Sequence, residues 1–286
     1  MSGVSHRVAF QGELGAYSED AVRRQWCRGN VEPVPARTCA DVVRMVERGE
    51  VDSGLLPIEN SLAGSVVATY DALAQSRDVW VVGETTLPIH HCLLALPGAV
   101  LNEVRVVESH PVALAQCGRF LGAHRWLMAR AAYDTAGAAL EVSMARDLER
   151  AAIAGRGAAE RFGLVVLAAD IEDRPDNQTR FLALSRTPSE PSPGSPAKTA
   201  IMATTQNTPG ALYRLLGPLA EQGLNMSKLE SRPTGEPWTY SFFLEIEHEC
   251  CPTELARALG ALCAVATGLR VLGTFERMVT PAIVSG

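Results

Sequence analysis

Apolar and polar positions along this chain switch repeatedly between the strand period of two and the helix period of three to four. Arg7-Val8-Ala9-Phe10 predicts a short strand, and Gln11 to Gly15 forms a glycine-punctuated loop into a helix that Ser18 can cap, with Val22 and Trp26 on one face. Thr38 starts a second helix with Val42, Val43 and Val46 as its stripe and Gly49 as its stop. Val51 to Ile58 reads as a buried strand that delivers Glu59, Asn60 and Ser61 to the start of a helix carrying Leu62, Val66, Tyr70 and Leu73. Strands at Val79 to Val82, Ile89 to Leu96 and Val104 to Val107 follow. The last runs into Glu108-Ser109-His110-Pro111 and a helix with Leu114, Cys117, Gly118 and Leu121 on its apolar face. A helix from Thr135 to Leu148, the small-residue run Ala151 to Ala154 and a strand at Leu164 to Leu167 continue the alternation. Such a pattern predicts an α/β body of two lobes with a cleft between them.

The most informative stretch is Asp176-Asn177-Gln178-Thr179-Arg180-Phe181-Leu182-Ala183-Leu184, where a loop becomes a strand. Thr179 and Phe181 then face one side and Arg180 the other, although a long Arg at a strand's start can curl to the same mouth. A guanidinium beside a hydroxyl is a receptor for a carboxylate with a group to protonate nearby. The tripeptide alone equally describes a surface ion pair. Glu59, Asn60 and Ser61 carry the same ambiguity: polar side chains at a helix start bind carboxylates, or simply cap. Gln116 follows Ser109 by about two helical turns, so both can line one groove if Ser109 is a cap.

Arg186 to Lys198 is proline-rich and poor in apolar residues, which predicts an extended linker over 186–198 between a domain at 5–185 and another at 199–279. The second segment reads strand (from Thr199), helix (from Pro209), strand (from Met226), strand (from Trp238), helix (from Thr253), strand (from Leu269), the ferredoxin-like βαββαβ order.

Charge narrows the function. A net charge of -6 with acids and bases interspersed argues against nucleic-acid and polybasic membrane surfaces, leaving small-molecule work. The seven cysteines form no Cys-x-x-Cys pair and read as reduced packing residues. No apolar signal core precedes the first strand and no run approaches membrane-spanning length, so a cytoplasmic protein is expected. Gly155-Arg156-Gly157 opens a helix after a small-residue strand, but Glu160 at the third glycine position opposes a pyrophosphate. The histidines His6, His90, His91, His110, His124 and His248 show no metal-ligand spacing, and no Gly-x-Ser-x-Gly elbow occurs. Chemistry without metal, nucleotide or covalent cofactor is expected.

Read together, Phe10-Gln11-Gly12 with Gly15-Ala16-Tyr17-Ser18, Gly54 to Ser61 with Gly64-Ser65-Val66, Ser109-His110-Pro111 with Ala115-Gln116-Cys117, Ala151 to Ala154, and Asn177 to Phe181 resemble prephenate dehydratase with a C-terminal ACT domain. Val112 and Glu245 depart from residues common in that family without touching a motif. The resemblance implies a periplasmic-binding-protein-like catalytic domain of two lobes, and conversion of prephenate to phenylpyruvate. It also implies that Thr179 acts on the departing hydroxyl, with Glu59 and Asn60 as catalytic companions. Arg180, Ser61, Ser109 and Gln116 would hold the substrate, above Phe181. Gly210, Ala211 and Leu212, with Glu230, Ser231, Arg232 and Pro233, would take phenylalanine as effector between ACT domains of a homodimer or homotetramer. The chorismate mutase domain fused to some relatives is not expected. Arogenate dehydratase shares these motifs, a decarboxylase that keeps the hydroxyl is more distant, and a solute-binding receptor is the alternative outside enzymes.

Overall fold

The computed structural model describes residues 5–249 and 253–278. Cys250, Cys251 and the expected boundary at residue 279 lie outside the described residues. The chain runs β1 (His6–Gln11), α1 (Tyr17–Gln25), β2 (Val31–Ala36), α2 (Cys39–Glu47), β3 (Ser53–Asn60), β4 (Gly64–Ser65), α3 (Val67–Gln75), β5 (Trp80–Pro88) and β6 (Cys92–Ala95). It continues β7 (Val106–Ser109), α4 (Pro111–Gln116), α5 (Gly118–Ala123), β8 (Met128–Ala131), α6 (Thr135–Ala145), β9 (Arg150–Ala154), α7 (Arg156–Phe162), β10 (Val165–Ala168) and β11 (Gln178–Ser185). The C-terminal part is β12 (Pro196–Thr204), α8 (Ala211–Glu221), β13 (Asn225–Pro233), β14 (Tyr240–Glu249), α9 (Thr253–Val265) and β15 (Gly268–Glu276).

Three sheets result, in the orders β2-β1-β3-β11-β5 with β4 on β3, β10-β6-β9-β7-β8, and β13-β14-β12-β15. Two compact units divide the chain: residues up to Thr69 with Thr85–Phe181, and Tyr70–Glu84 with Leu182 onward. No described helix is long and apolar enough to cross a membrane.

In the first unit the second sheet is covered on both faces, which is why β6 and β9 read as continuous apolar runs rather than alternating ones. Leu93, Ala95, Ala151 and Ile153 face one core with Ala113 and Cys117; Cys92, Leu94, Ala152 and Ala154 face the other with Ala138, Val142 and Ala158. The chain crosses between the first two sheets twice, at residues 89–91 and 169–177. The crossings are hydrogen-bonded together: Ile89 N donates to Asn177 O at 2.9 Å, and Ile171 N to His91 O at 3.0 Å.

The glycines of Gly155-Arg156-Gly157 serve close approach to α1. A Cβ at Gly155 would stand 2.8 Å from the Tyr17 ring, and one at Gly157 3.2 Å from Asp20 Oδ1.

Several local expectations shift. Ser18 does not cap α1; it is buried inside the helix, whose N-cap is Ala16, and Glu19 turns back to accept from Gly15 N at 2.7 Å. Thr38 does form a full capping box with Asp41. Leu62 and Val66 are not helical. Asn60 Oδ1 accepts from Leu62 N at 3.0 Å and Ala63 N at 2.9 Å, folding the chain into a turn onto β4 before α3 begins at Val67. The helix after Pro111 breaks at Cys117 into α4 and α5. Cys39, Cys92 and Cys117 are buried packing thiols, whereas Cys27 and Cys263 are exposed. Strand β12 begins at Pro196, inside the stretch expected as linker.

In the second unit, α8 and α9 cover one face of the third sheet, with Leu215, Leu219, Leu255 and Leu262 against Ile201, Ala203, Leu244 and Ile246. On the other face Phe243 meets Tyr70 edge-on at 5.0 Å. Lys198 Nζ lies there between Glu84 Oε2 at 3.0 Å and Glu245 Oε2 at 3.6 Å, all three side chains buried. Lys198→Met would leave two buried carboxylates without their ammonium. It is expected to cost about 3–5 kcal/mol in denaturant unfolding, part of which returns when Glu245→Leu is added.

Asp20 supplies a pH test. Burial first, then the neighbouring Glu19, pushes its carboxyl up to about 6 from 3.8, so the folded chain holds that proton more tightly than the unfolded one. The resulting stability is complete below the unfolded value and is lost as pH rises through 6. Asp20→Asn is therefore expected to leave stability near pH 4 unchanged and to raise it at pH 7 by about 1–2 kcal/mol, a figure discounted for partial exposure.

Candidate active site

A cavity of about 510 Å³ in the first unit is lined by Gln11 and Gly12 after β1, by Tyr17 and Ser18 of α1, by Asn60 and Ala63 to Val66, and by Thr179 and Phe181 of β11. His91, His110, Val112, Ala113, Gln116 and Tyr133 to Thr135 close its other side. It thus lies between the first sheet and the N-terminal ends of α4 and α6. Among the described residues that line it there is no Lys or Arg.

At its centre is a chain of amides. Asn60 Nδ2 lies 3.0 Å from Thr179 Oγ1, 2.8 Å from Asn177 Oδ1 and 3.1 Å from Gln178 O. Asn177, wholly buried, donates through Nδ2 to Gln116 Oε1 at 3.1 Å, and Gln116 Nε2 reaches Asn60 Oδ1 at 3.4 Å. His91 Nε2 stands 3.0 Å from Gln116 Oε1, and His91 Nδ1 2.8 Å from the Tyr17 hydroxyl. Burial pushes the Tyr17 phenol well above its usual range and lowers the His91 imidazole, so both are neutral at pH 7. His110 caps α4 by accepting the Val112 N–H on Nδ1 at 3.2 Å, which leaves Nε2 to carry the proton on a residue that lines the cavity.

Of the residues expected from the sequence, Thr179, Asn60, Gln116 and Phe181 meet in this cavity, with Phe181 almost fully buried at its wall. The others do not line it. Alternation along β11 sends Arg180 away from Thr179, and its Nε pairs with Glu59 Oε1 at 2.7 Å. The ion-pair alternative for Arg180 describes its position, and Glu59, expected as a catalytic companion of Thr179, accepts from the guanidinium there. Ser61 Oγ donates to Asp176 O at 3.1 Å and accepts from Gln178 N at 3.0 Å, tying the β3 turn to the start of β11. Ser109 is not a cap; it ends β7, fully buried, and its hydroxyl donates to Ile153 O at 2.6 Å.

Tyr17, His91, His110 and Asn177 belong to the cluster without having been expected there. His91 and Asn177 come from the two crossings between sheets, where no periodicity signals which way a side chain points. Cys117, next to Gln116, is no nucleophile, since burial pushes its thiol up to about 12. Among the described residues, His90, Asp170 and Glu172 bring ligating atoms within 4.8 Å of one another, a spatial group that linear spacing does not reveal. Glu172 there accepts from His90 Nδ1 and from His91 N, each at 2.8 Å.

In the second unit Gly210, in the left-handed region at φ 75°, precedes α8, and Ala211 and Leu212 begin the helix. They line a cavity of about 220 Å³ with Thr208, Tyr240 and Phe242. Glu230 to Pro233 end β13, opposite Phe243 to Tyr240 of β14. Arg232 forms a two-pronged pair with Asp71, Nε to Oδ1 at 3.0 Å and Nη2 to Oδ2 at 3.3 Å. Within one chain the two segments therefore line different cavities.

Comparison with known proteins places these features. Residues 8–189 match the family model described as prephenate dehydratase, and residues 199–266 the ACT domain. The chain is 40% identical over 284 residues to arogenate dehydratase 2 of Petunia hybrida, covering 94% of this chain and 71% of that protein. It is similar to the crystal structure of prephenate dehydratase in complex with L-Phe from Arthrobacter aurescens, with TM-score 0.87 and 32% identity over 95% of this chain and 90% of that one. It is also similar to GqqA, described as a novel type of quorum quenching acylase, with TM-score 0.85 and 37% identity over 95% and 98% of the two chains.

Proposed function

The chain belongs to the prephenate dehydratase family of decarboxylating lyases and carries an ACT domain, and from that footing we propose that the cavity around Thr179 converts prephenate to phenylpyruvate, carbon dioxide and water. The observation that carries this reading is the hydrogen bond into the Thr179 oxygen. Asn60 Nδ2 can only donate, so the single Thr179 proton is left for an acceptor other than Asn60. A hydroxide leaving the ring takes up one proton as the C–O bond breaks, while the electron pair of the C–CO₂ bond becomes part of the aromatic ring. Thr179 supplies a hydrogen bond or that proton and regains it from solvent. A threonine hydroxyl is a weak acid, so its transfer is concerted with C–O cleavage.

The described cavity lining has no Lys or Arg and carries the Asp134 carboxylate, whereas the substrate is a dianion. Its carboxylates are held by oriented dipoles: Gln116 Nε2, His110 Nε2, the hydroxyls of Ser18, Ser65 and Thr135, and backbone N–H groups. Fixed dipoles replacing water around the ring-borne carboxylate assist its loss. Glu59, Arg180 and Ser61 act one layer out, holding β3 against β11. Ser109 fixes β7.

A second substrate is favoured by Asp134. Its Oδ1 caps α6 through Gly137 N, while its buried Oδ2 lacks a hydrogen-bond partner within the described chain. A lone carboxylate oxygen on a cavity residue suits an ammonium, which arogenate carries where prephenate has a keto oxygen.

Regulation is proposed to run through the domain at 199–279, with the catalytic domain at 5–185 joined to it by 186–198. Gly210 to Leu212 of one subunit and Glu230 to Pro233 of another would enclose phenylalanine in a homo-oligomer working in the cytoplasm. Their separation into different cavities within a single chain supports a site assembled from two.

Incubating the purified protein with prephenate or arogenate is expected to yield phenylpyruvate or phenylalanine respectively; release of neither overturns the reading. Thr179→Ala should lower kcat about 10²-fold with KM little changed, while Thr179→Ser keeps appreciable activity. Asp134→Asn should weaken kcat/KM for arogenate at least about ten-fold relative to prephenate, as expected for loss of one charged partner. Calorimetry should detect phenylalanine binding, weakened in Gly210→Val because a branched side chain is strained at positive φ.

A further inference from the structure

We propose that His91, with Tyr17 behind it, is a positioning residue that holds Gln116 in the direction that the Asn60 turn imposes on the hydrogen-bond chain ending at Thr179. The inference rests on the reading of Thr179 as the proton-bearing group. From Asn60 to His91 each link admits only one sense. Asn60 Oδ1 is fixed as acceptor by the N–H groups of Leu62 and Ala63, so its Nδ2 must point at Thr179. Gln116 must then present Nε2 to Asn60 and Oε1 to Asn177 Nδ2. Because Oε1 can only accept, the nitrogen of His91 that faces it at 3.0 Å has to carry the proton.

That requirement selects the Nε2–H tautomer of a ring that is buried to 2% exposure. At the other nitrogen the Tyr17 hydroxyl has one proton and two acceptors. Tyr17 O–H stands 2.8 Å from His91 Nδ1 and, as a donor there, consumes its lone pair. The same hydroxyl lies 2.8 Å from His90 O, which can only accept, so the Nε2–H tautomer is complete when the Tyr17 proton turns from that carbonyl to Nδ1. With the opposite tautomer, the Nε2 lone pair would face Gln116 Oε1, and Gln116 would have to turn over, setting its NH₂ against the NH₂ of Asn177. The amide that faces Asn60 and the cavity would then be an oxygen, which repels a carboxylate.

The test reads the tautomer directly. In the full chain labelled with ¹⁵N-histidine, with the His91 resonance identified by its loss in His91→Gln, long-range ¹⁵N–¹H correlation is expected to show the proton on Nε2. A proton on Nδ1 overturns the proposal. Kinetics gives an independent arm. His91→Gln, whose amide N–H can replace Nε2–H, should stay within about ten-fold of the parent kcat, whereas His91→Leu should lose about 10²-fold, and Tyr17→Phe a smaller factor. Full activity in His91→Leu, with Thr179→Ala impaired, removes the positioning role and leaves the Thr179 reading standing. Full activity in Thr179→Ala removes both. If His91→Leu does not fold, the tautomer measurement decides alone.

Discussion

The carboxamide of Asn60 has two ends of opposite hydrogen-bonding sense, and the site depends on both being used at once. Its oxygen gathers two backbone N–H groups and so makes the turn that follows β3. Its nitrogen spans to Asn177 at the end of a crossing and to Gln178 and Thr179 of β11. Neither end can be exchanged without breaking the turn, so the local fold of residues 60–63 dictates the polarity of the side chain that touches Thr179. An aspartate would lose the donor and repel the Asn177 oxygen; a leucine would lose the turn.

The same economy of means appears in the crossings between the first two sheets. Residues 89–91 and 169–177 carry His91 and Asn177 into the cavity and are hydrogen-bonded to each other through main-chain groups. Glu172 reinforces this from the outer side by holding His90 and the His91 N–H. Amide order in the cavity and order in the connecting segments are therefore one property, as expected where buried polar groups must all be satisfied.

Much of this was legible in the chain. The strand and helix alternation, the βαββαβ order after residue 199 and the convergence of Asn60, Gln116 and Thr179 follow from period and motif. The failures are equally physical. Arg180 was read as a ligand group because a guanidinium beside a hydroxyl suits a carboxylate, but strand alternation at β11 sends it to Glu59. Ser109 and Ser18 look like caps, yet each is swallowed by a regular element, since capping propensity cannot tell the last strand residue from the first helical one. The turn after Asn60 was read as a helix because a side-chain acceptor serves either structure until Gly64 and β4 are placed. Tyr17 stands in a motif and His91 beside another histidine, but nothing in the chain pairs them. Their meaning lies in contacts between segments some 74 residues apart.

A described cavity wall whose donors are amides, hydroxyls and imidazoles, with the Asp134 carboxylate beside them and without a lysine or arginine, also has a bearing on turnover. Fixed cations would grip any anion of suitable size, the spent one included. Directed neutral donors grip only a ligand whose charges stand where the dipoles point. Once a carboxylate has departed as carbon dioxide and the ring has flattened, the donors that faced it are left without a ligand, and the remaining monoanion is free to diffuse out.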